Sequence, residues 1–215
     1  MSVFLHEQLY RSREVMARVR EMPLTVCGAG ALGANVLESL ARQGFARLRV
    51  VDRDRVEEQN LSTQPYGRAE VGAHKARVLA HAVYRALGVE ADARAEELTA
   101  ANAAKLLGGS ALVLDAFDNS VARRAVQDYC AGAGVACLHA GLAGDYAEVI
   151  WNEVYRVPSP AQDDVCDYPL ARNLVTLAVA VACECVVEFV AEGARRSYTI
   201  TLRDLAVRPF ELRAG

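Results

Sequence analysis

The sequence has no C-x-x-C pair, no cluster of basic residues and no apolar run long enough to cross a bilayer. Each absence removes a class of protein. The six cysteines stand at 27, 130, 137, 166, 183 and 185, so the paired motifs of a zinc ribbon are excluded and no structural zinc is expected. Lysine and arginine total 24 against 27 acidic residues, a net charge of −3, and the scattered basic residues speak against a nucleic-acid partner. The longest apolar stretch, Leu174 to Cys183, falls short of the ~20 residues of a membrane helix. The first residues include His6, Glu7, Arg11 and Arg13, not the apolar core of a signal peptide. The expectation is a cytoplasmic protein with no membrane partner. Repeats, low-complexity segments and linkers are also missing. A chain of 215 residues that is 53% hydrophobic fits one α/β domain over 1–215.

The most informative segment that is present runs Leu24-Thr-Val-Cys-Gly28-Ala-Gly30-Ala-Leu-Gly33, followed by Val50-Val51-Asp52-Arg53-Asp54. It predicts a strand, a glycine turn, a helix and a second strand ending in acid. Gly28, Gly30 and Gly33 match G-x-G-x-x-G. The first allows a tight turn, the second lets backbone approach phosphate, and the third lets helix pack close on strand. The helix start offers unpaired N–H groups and a positive dipole end to an anion. Asp52, 19 residues after Gly33, is placed to hold a ribose hydroxyl. An adenine nucleotide is the expected ligand.

Along the chain, residues 1–20 form a helical segment and 24–27 and 48–51 the first strands. A polar loop from Arg53 to Gly72 carries Asn60, Ser62 and Gln64, and loops of that length are usually functional. Helices are expected over 31–43, 73–87 and 100–107, the last capped by Thr99. Further strands are expected over 89–93 and 111–114, the second ending in Asp115-Ala-Phe-Asp118-Asn119. Asn119 or Asp118 can cap the helix that starts at Ser120. Residues 135–140, 146–155 and 197–202 read as strands, 156–168 as a loop, and 169–215 as a long apolar helix over 170–192 plus a strand. Alternating strand and helix predicts a doubly wound, Rossmann-like, mainly parallel sheet with antiparallel C-terminal strands.

At the carboxyl ends of such strands three features converge: the glycine turn with Asp52, the Asn60–Gln64 loop with Lys75, and Asp118. Lys75 can neutralise phosphate as a point charge. Asp118 can hold magnesium through one carboxylate. A lone lysine in a first helical turn is usually a solvated surface residue, and an Asp-Asn pair after a strand is often a cap. The ordered set behind a full glycine fingerprint favours nucleotide chemistry at phosphorus.

This ordered set resembles the ThiF/MoeB/HesA family, bacterial relatives of ubiquitin-activating enzymes. The resemblance covers about residues 8 to 155, with a weaker echo in 170–192. It implies an ATP- and magnesium-dependent adenylyltransferase acting on the C-terminal glycine of a ubiquitin-like or sulfur-carrier protein and releasing pyrophosphate. It also implies roles. Gly28, Gly30 and Gly33 line the phosphates, Asp52 binds ribose and Asp54 supports the same loop. Asn60 contacts phosphate or ribose, and Gln64 belongs to the same binding loop. Lys75 contacts phosphate and Asp118 coordinates magnesium. The implied assembly is a homodimer, in which an N-terminal arginine, Arg13 in preference to Arg11, reaches the partner's ATP.

Three departures accompany it. Thr63 stands where the family pattern has an arginine, and Arg68 is the nearest substitute. The zinc-binding cysteines are missing. The chain is short for an added catalytic-cysteine domain. Cys166, flanked by Asp163, Asp164 and Asp167, is the candidate nucleophile, against the blander reading of an exposed loop thiol. The other five cysteines read as small buried thiols. Two alternatives follow: a catalytically impaired partner subunit or nucleotide-binding scaffold, favoured by Thr63, and an NAD-dependent oxidoreductase, with His139 as its acid. Histidine in that strand setting is more often packed and hydrogen-bonded.

Overall fold

The computed structural model describes residues 2–159 and 169–211. Short apolar runs build the centre of one sheet. Strands β1 (Leu24–Cys27), β2 (Leu48–Val51), β3 (Asp92–Arg94), β4 (Leu112–Asp115) and β5 (Ala136–Ala143) run parallel in the order β3-β2-β1-β4-β5. β6 (Tyr146–Trp151), β7 (Tyr198–Thr201) and β8 (Ala206–Pro209) extend the sheet antiparallel. Every residue of β1 and β4 is buried, as a sheet covered on both faces requires.

Seven helices cover the sheet: α1 (Leu5–Tyr10), α2 (Arg13–Glu21), α3 (Ala31–Arg42), α4 (Lys75–Leu87), α5 (Ala103–Leu107), α6 (Ser120–Ala133) and α7 (Arg172–Glu192). One face packs against α2, α3, α4 and α7 through Leu37, Leu40, Leu79, Leu174 and Val186. The other packs against α5 and α6 through Leu106, Leu107 and Val126. The architecture is the expected doubly wound, mainly parallel sheet with an antiparallel extension. The order of strand addition reverses between β1 and β4, which opens a crevice beyond their carboxyl ends.

The differences from the sequence reading are local. The N-terminal helical segment is two helices, broken at Arg11–Ser12, because the Ser12 hydroxyl accepts the Val15 N–H and starts α2 afresh. Thr99 caps no helix; α5 begins at Ala103, and the Asn102 side chain accepts the Thr99 N–H instead. Asn119, not Asp118, caps α6, its side chain accepting from Ala122 N at 2.8 Å. β6 ends at Trp151, four residues earlier than expected. β8 lacks an apolar pattern; it is held by pairing with β7. α7 is by length and composition apolar enough to cross a membrane, contrary to the count of one unbroken stretch. Ten of its residues, from Leu174 to Val190, are buried within this fold.

Candidate functional site

The glycine turn joins β1 to α3, and its three glycines differ in what surrounds them. Gly28 has φ +90°, and a Cβ there would lie 2.9 Å from Ala116 O. A Cβ on Gly33 would sit 2.0 Å from Gly28 O, so helix and turn touch backbone to backbone. A Cβ on Gly30 would meet nothing within 4 Å. It would project into space at the start of α3, where the first-turn N–H groups have no partner inside the helix.

That space is a cleft of about 350 Å³ bordered by Gly28, Gly30, Asp52, Asp54, Lys75 and Asp118. Asp52 is buried. Its carboxylate accepts from Ala29 N and Asp54 N, both at 2.6 Å, so it fixes the turn as well as facing the cleft. Burial raises its pKa, against the lowering effect of the two N–H groups. Lys75 is also buried, 8% exposed, which removes the solvated-surface reading. Its Nζ lies 3.4 Å from Asp54 Oδ2. Asp118 is exposed at the β4–α6 turn. Arg53, Glu96 and Glu97 complete the charged lining, and Leu98, Phe117 and Val121 supply apolar surface of the kind a base ring packs against.

Other expected residues do not border the cleft. Gly33 packs inside against Gly28. Asn60 accepts the Glu57 N–H with its side chain at 2.9 Å, capping a 3-10 turn over residues 58–62. Gln64 is half-buried with a side-chain oxygen that lacks a protein partner. Their loop nonetheless lies against the turn. Tyr66 Oη donates to Ala29 O at 2.7 Å, and Asn35 Nδ2 donates to both Ala31 O and Thr63 O, at 2.7 and 2.9 Å. Arg68 is exposed in a second 3-10 turn away from the cleft lining. Arg13 is exposed at the start of α2, whereas Arg11 is held by Glu7 and by both carboxylate oxygens of Glu184, at 3.1 and 2.7 Å. Cys166 lies outside the described residues. The five described cysteines are buried, and burial raises the thiols of Cys27, Cys137 and Cys183, and that of Cys185 to about 12. Thiols so raised are poor nucleophiles. Among the described residues no group of three metal-ligating side chains occurs.

A buried polar network stands behind the cleft, and the sequence reading did not assemble it. Asp115 Oδ2 lies 2.8 Å from His139 Nδ1 and 3.7 Å from Arg123 Nη1, while Asp115 Oδ1 accepts from Phe117 N at 3.1 Å. Arg123 donates to Tyr155 Oη and Ala140 O, at 2.8 and 2.9 Å, and the Tyr155 ring stacks on His139 with centroids 3.8 Å apart. Asp115 and His139 are paired in register across β4 and β5, the one signal that links them. His139 is a packed, hydrogen-bonded strand residue, outside the cleft lining.

The fold is that of a doubly wound α/β protein with a cleft beyond the carboxyl ends of its central strands. Residues 6–191 match the model of the ThiF family, and the chain belongs to that family. It is 40% identical over 118 residues to the sulfur carrier protein adenylyltransferase of Thermus thermophilus, covering 54% of this chain and 43% of that protein. Against the SAMP-activating enzyme E1 of Haloferax volcanii it is 34% identical over 134 residues, 60% of this chain and 48% of the relative. The chain thus spans about half the length of the curated relatives it matches. Among solved structures, E. coli MccB with ATP superimposes with a TM-score of 0.80 at 18% identity, over 96% of this chain and 69% of that one. PaaA gives 0.75 at 17% over the same shares. At such identity the likeness is one of fold.

Proposed function

We propose that this protein is an ATP-dependent adenylyltransferase that activates the C-terminal glycine carboxylate of a ubiquitin-like or sulfur-carrier protein. The observation that carries the reading is the Gly30 edge of the cleft: open space where a Cβ would be, beside a helix start and a buried lysine. The names of the relatives, which include sulfur carrier protein adenylyltransferases, supply the substrate class. A carboxylate oxygen of the carrier attacks the α-phosphorus, the bond from that phosphorus to the bridging oxygen breaks, and pyrophosphate leaves. Little covalent protein chemistry is needed, so positioning and charge neutralisation supply most of the rate.

The residues have complementary tasks. Gly28 and Gly30 admit the phosphate chain to the α3 N-terminus. Asp52 has lone pairs left for ribose hydroxyls after accepting its two N–H groups. Lys75 moves from Asp54 towards phosphate. Asp118 and Asp54 fit magnesium, which takes one or two carboxylates plus phosphate oxygens, and the ion would neutralise charge on the triphosphate. A homodimer would bring Arg13, free of the ion pairs that hold Arg11, to the partner's site. Cys166 is the remaining candidate for a later thioester or persulfide step.

Thr63 supports a second reading, a nucleotide-binding partner subunit without catalysis. Calorimetry with ATP and magnesium, beside NAD, tests both. ATP binding that needs magnesium is the expected result. Binding of NAD alone would restore the oxidoreductase, and ATP binding without adenylation of any sulfur-carrier protein would favour the partner subunit.

A further inference from the structure

The cleft is poor in positive charge for a site that takes a triphosphate. Its lining carries five carboxylates, Asp52, Asp54, Glu96, Glu97 and Asp118, against Arg53 and Lys75, with Lys105 outside the lining paired to Glu96 at 2.8 Å. Both cations are already paired: Lys75 with Asp54 at 3.4 Å, and Arg53 with Glu97 at 2.6 Å. A polyphosphate that enters meets net repulsion unless a cation approaches from outside the lining.

Arg172 is placed to do so. It opens α7, which packs along α3; Cys183 Sγ meets Val36 O midway. At the starting end of α7, Arg172 Nη1 donates to Ser62 O at 3.3 Å. Ser62 adjoins Thr63, whose carbonyl shares the Asn35 amide donor with Ala31, the first residue of α3. The guanidinium therefore stands beside the loop that covers the glycine turn, at the end of α3 that faces the cleft. Its side chain is exposed, and among the described residues it makes one long bond to a neutral carbonyl and pairs with no carboxylate. The residue it contacts, Ser62, directly precedes Thr63, the position where the resemblance leads one to expect an arginine. A short loop residue cannot supply that charge, but the first residue of α7 can.

We infer that Arg172 is a substrate-contacting residue that binds the terminal phosphates of the nucleotide, supplying from α7 the guanidinium that the loop lacks. The inference rests on the nucleotide reading of the cleft. A guanidinium on phosphate makes bidentate, charge-assisted hydrogen bonds, stronger than those of an ammonium or a neutral donor.

The test is calorimetry of wild type, Arg172→Ala and Arg172→Lys with magnesium ATP, with AMP and with inorganic tripolyphosphate, beside thermal melting of each variant. Loss of the contact should weaken ATP and tripolyphosphate about tenfold or more and leave AMP, which lacks the terminal phosphates, close to wild type. Lysine should restore part of the loss, and melting should be unchanged because the side chain is exposed. Equal weakening of AMP and ATP, or ATP affinity equal to wild type in the alanine variant, would overturn the role of Arg172 while the nucleotide reading stands. A wild type that binds no ATP would sink that reading and this inference together.

Discussion

Two glycines in one turn answer different demands. Gly33→Ala would drive a methyl group into Gly28 O, a 2.0 Å approach that backbone must relieve by moving. Gly30→Ala meets nothing within 4 Å, so the fold tolerates it and only a ligand would feel it. The expected outcome is a lowered melting temperature for Gly33→Ala and an unchanged one for Gly30→Ala, whose ATP affinity alone falls. Equal melting of the two would contradict the packing argument. Lys75→Ala should leave a folded protein that has lost most pyrophosphate exchange with its carrier, roughly 10²-fold or more if the ammonium meets developing charge at the transition state; unchanged exchange removes Lys75 from the mechanism. The glycines, Asp52, Lys75 and Asp118 were legible because turn chemistry and strand ends fix their places along the chain. The place of Asn60 away from the cleft lining was not, since a polar side chain in a 3-10 turn serves its own backbone as readily as a ligand. The Asp115–His139 pair was hidden for another reason: its members are 24 residues apart and meet only through sheet register.

At the scale of elements, that pair ties β4 and β5 to α6 through Arg123. Burial by itself would raise the Asp115 pKa, but Arg123 and the His139 hydrogen bond outweigh it, and the net direction is down from 3.8. A carboxylate lowered in the folded state adds stability above its unfolded value and loses it as pH falls through the folded one. Wild type should therefore lose stability as pH drops below about 4. Asp115→Asn should be destabilised at neutral pH by about 3–5 kcal/mol, since it leaves Arg123 buried without its charge partner, and should lose less on acidification. Denaturant melts at pH 7 and pH 3 check both; parallel acid losses would refute the assignment. α7 sets a second expectation. Leu174, in its first turn, is fully buried, so Leu174→Ala should cost about 2–5 kcal/mol in urea unfolding. A cost near zero would mean that α7 does not pack as a core helix. Continuous apolar runs located α7 and the central strands, whose burial is fixed by local composition. They missed the break between α1 and α2, which one serine hydroxyl decides, and β8, which exists only because β7 pairs with it.

Across the whole molecule the balance of charge is uneven. The net charge of −3 is modest, yet five carboxylates gather at the one cleft where a polyanion should bind. The fold class could be read from strand–helix alternation, but this concentration could not, because the loops after β2, β3 and β4 that bring the acids together are far apart in sequence. It yields a sign that runs against the usual one for anion sites. Lysine-rich phosphate sites weaken as salt rises, because screening reduces attraction. Here, in the absence of magnesium, ATP faces net repulsion from the cleft, and raising ionic strength should strengthen its weak binding as the Debye length contracts from ~30 Å at 0.01 M to ~8 Å at 0.15 M. With magnesium saturating, the same titration should flatten or reverse, because the ion neutralises both phosphate and carboxylates. Calorimetric or fluorescence titrations of ATP across that salt range, with magnesium and with chelator, separate the cases. Metal-free binding that weakens with salt would mean that cations outside the lining, Arg172 first among them, already dominate the field at the cleft.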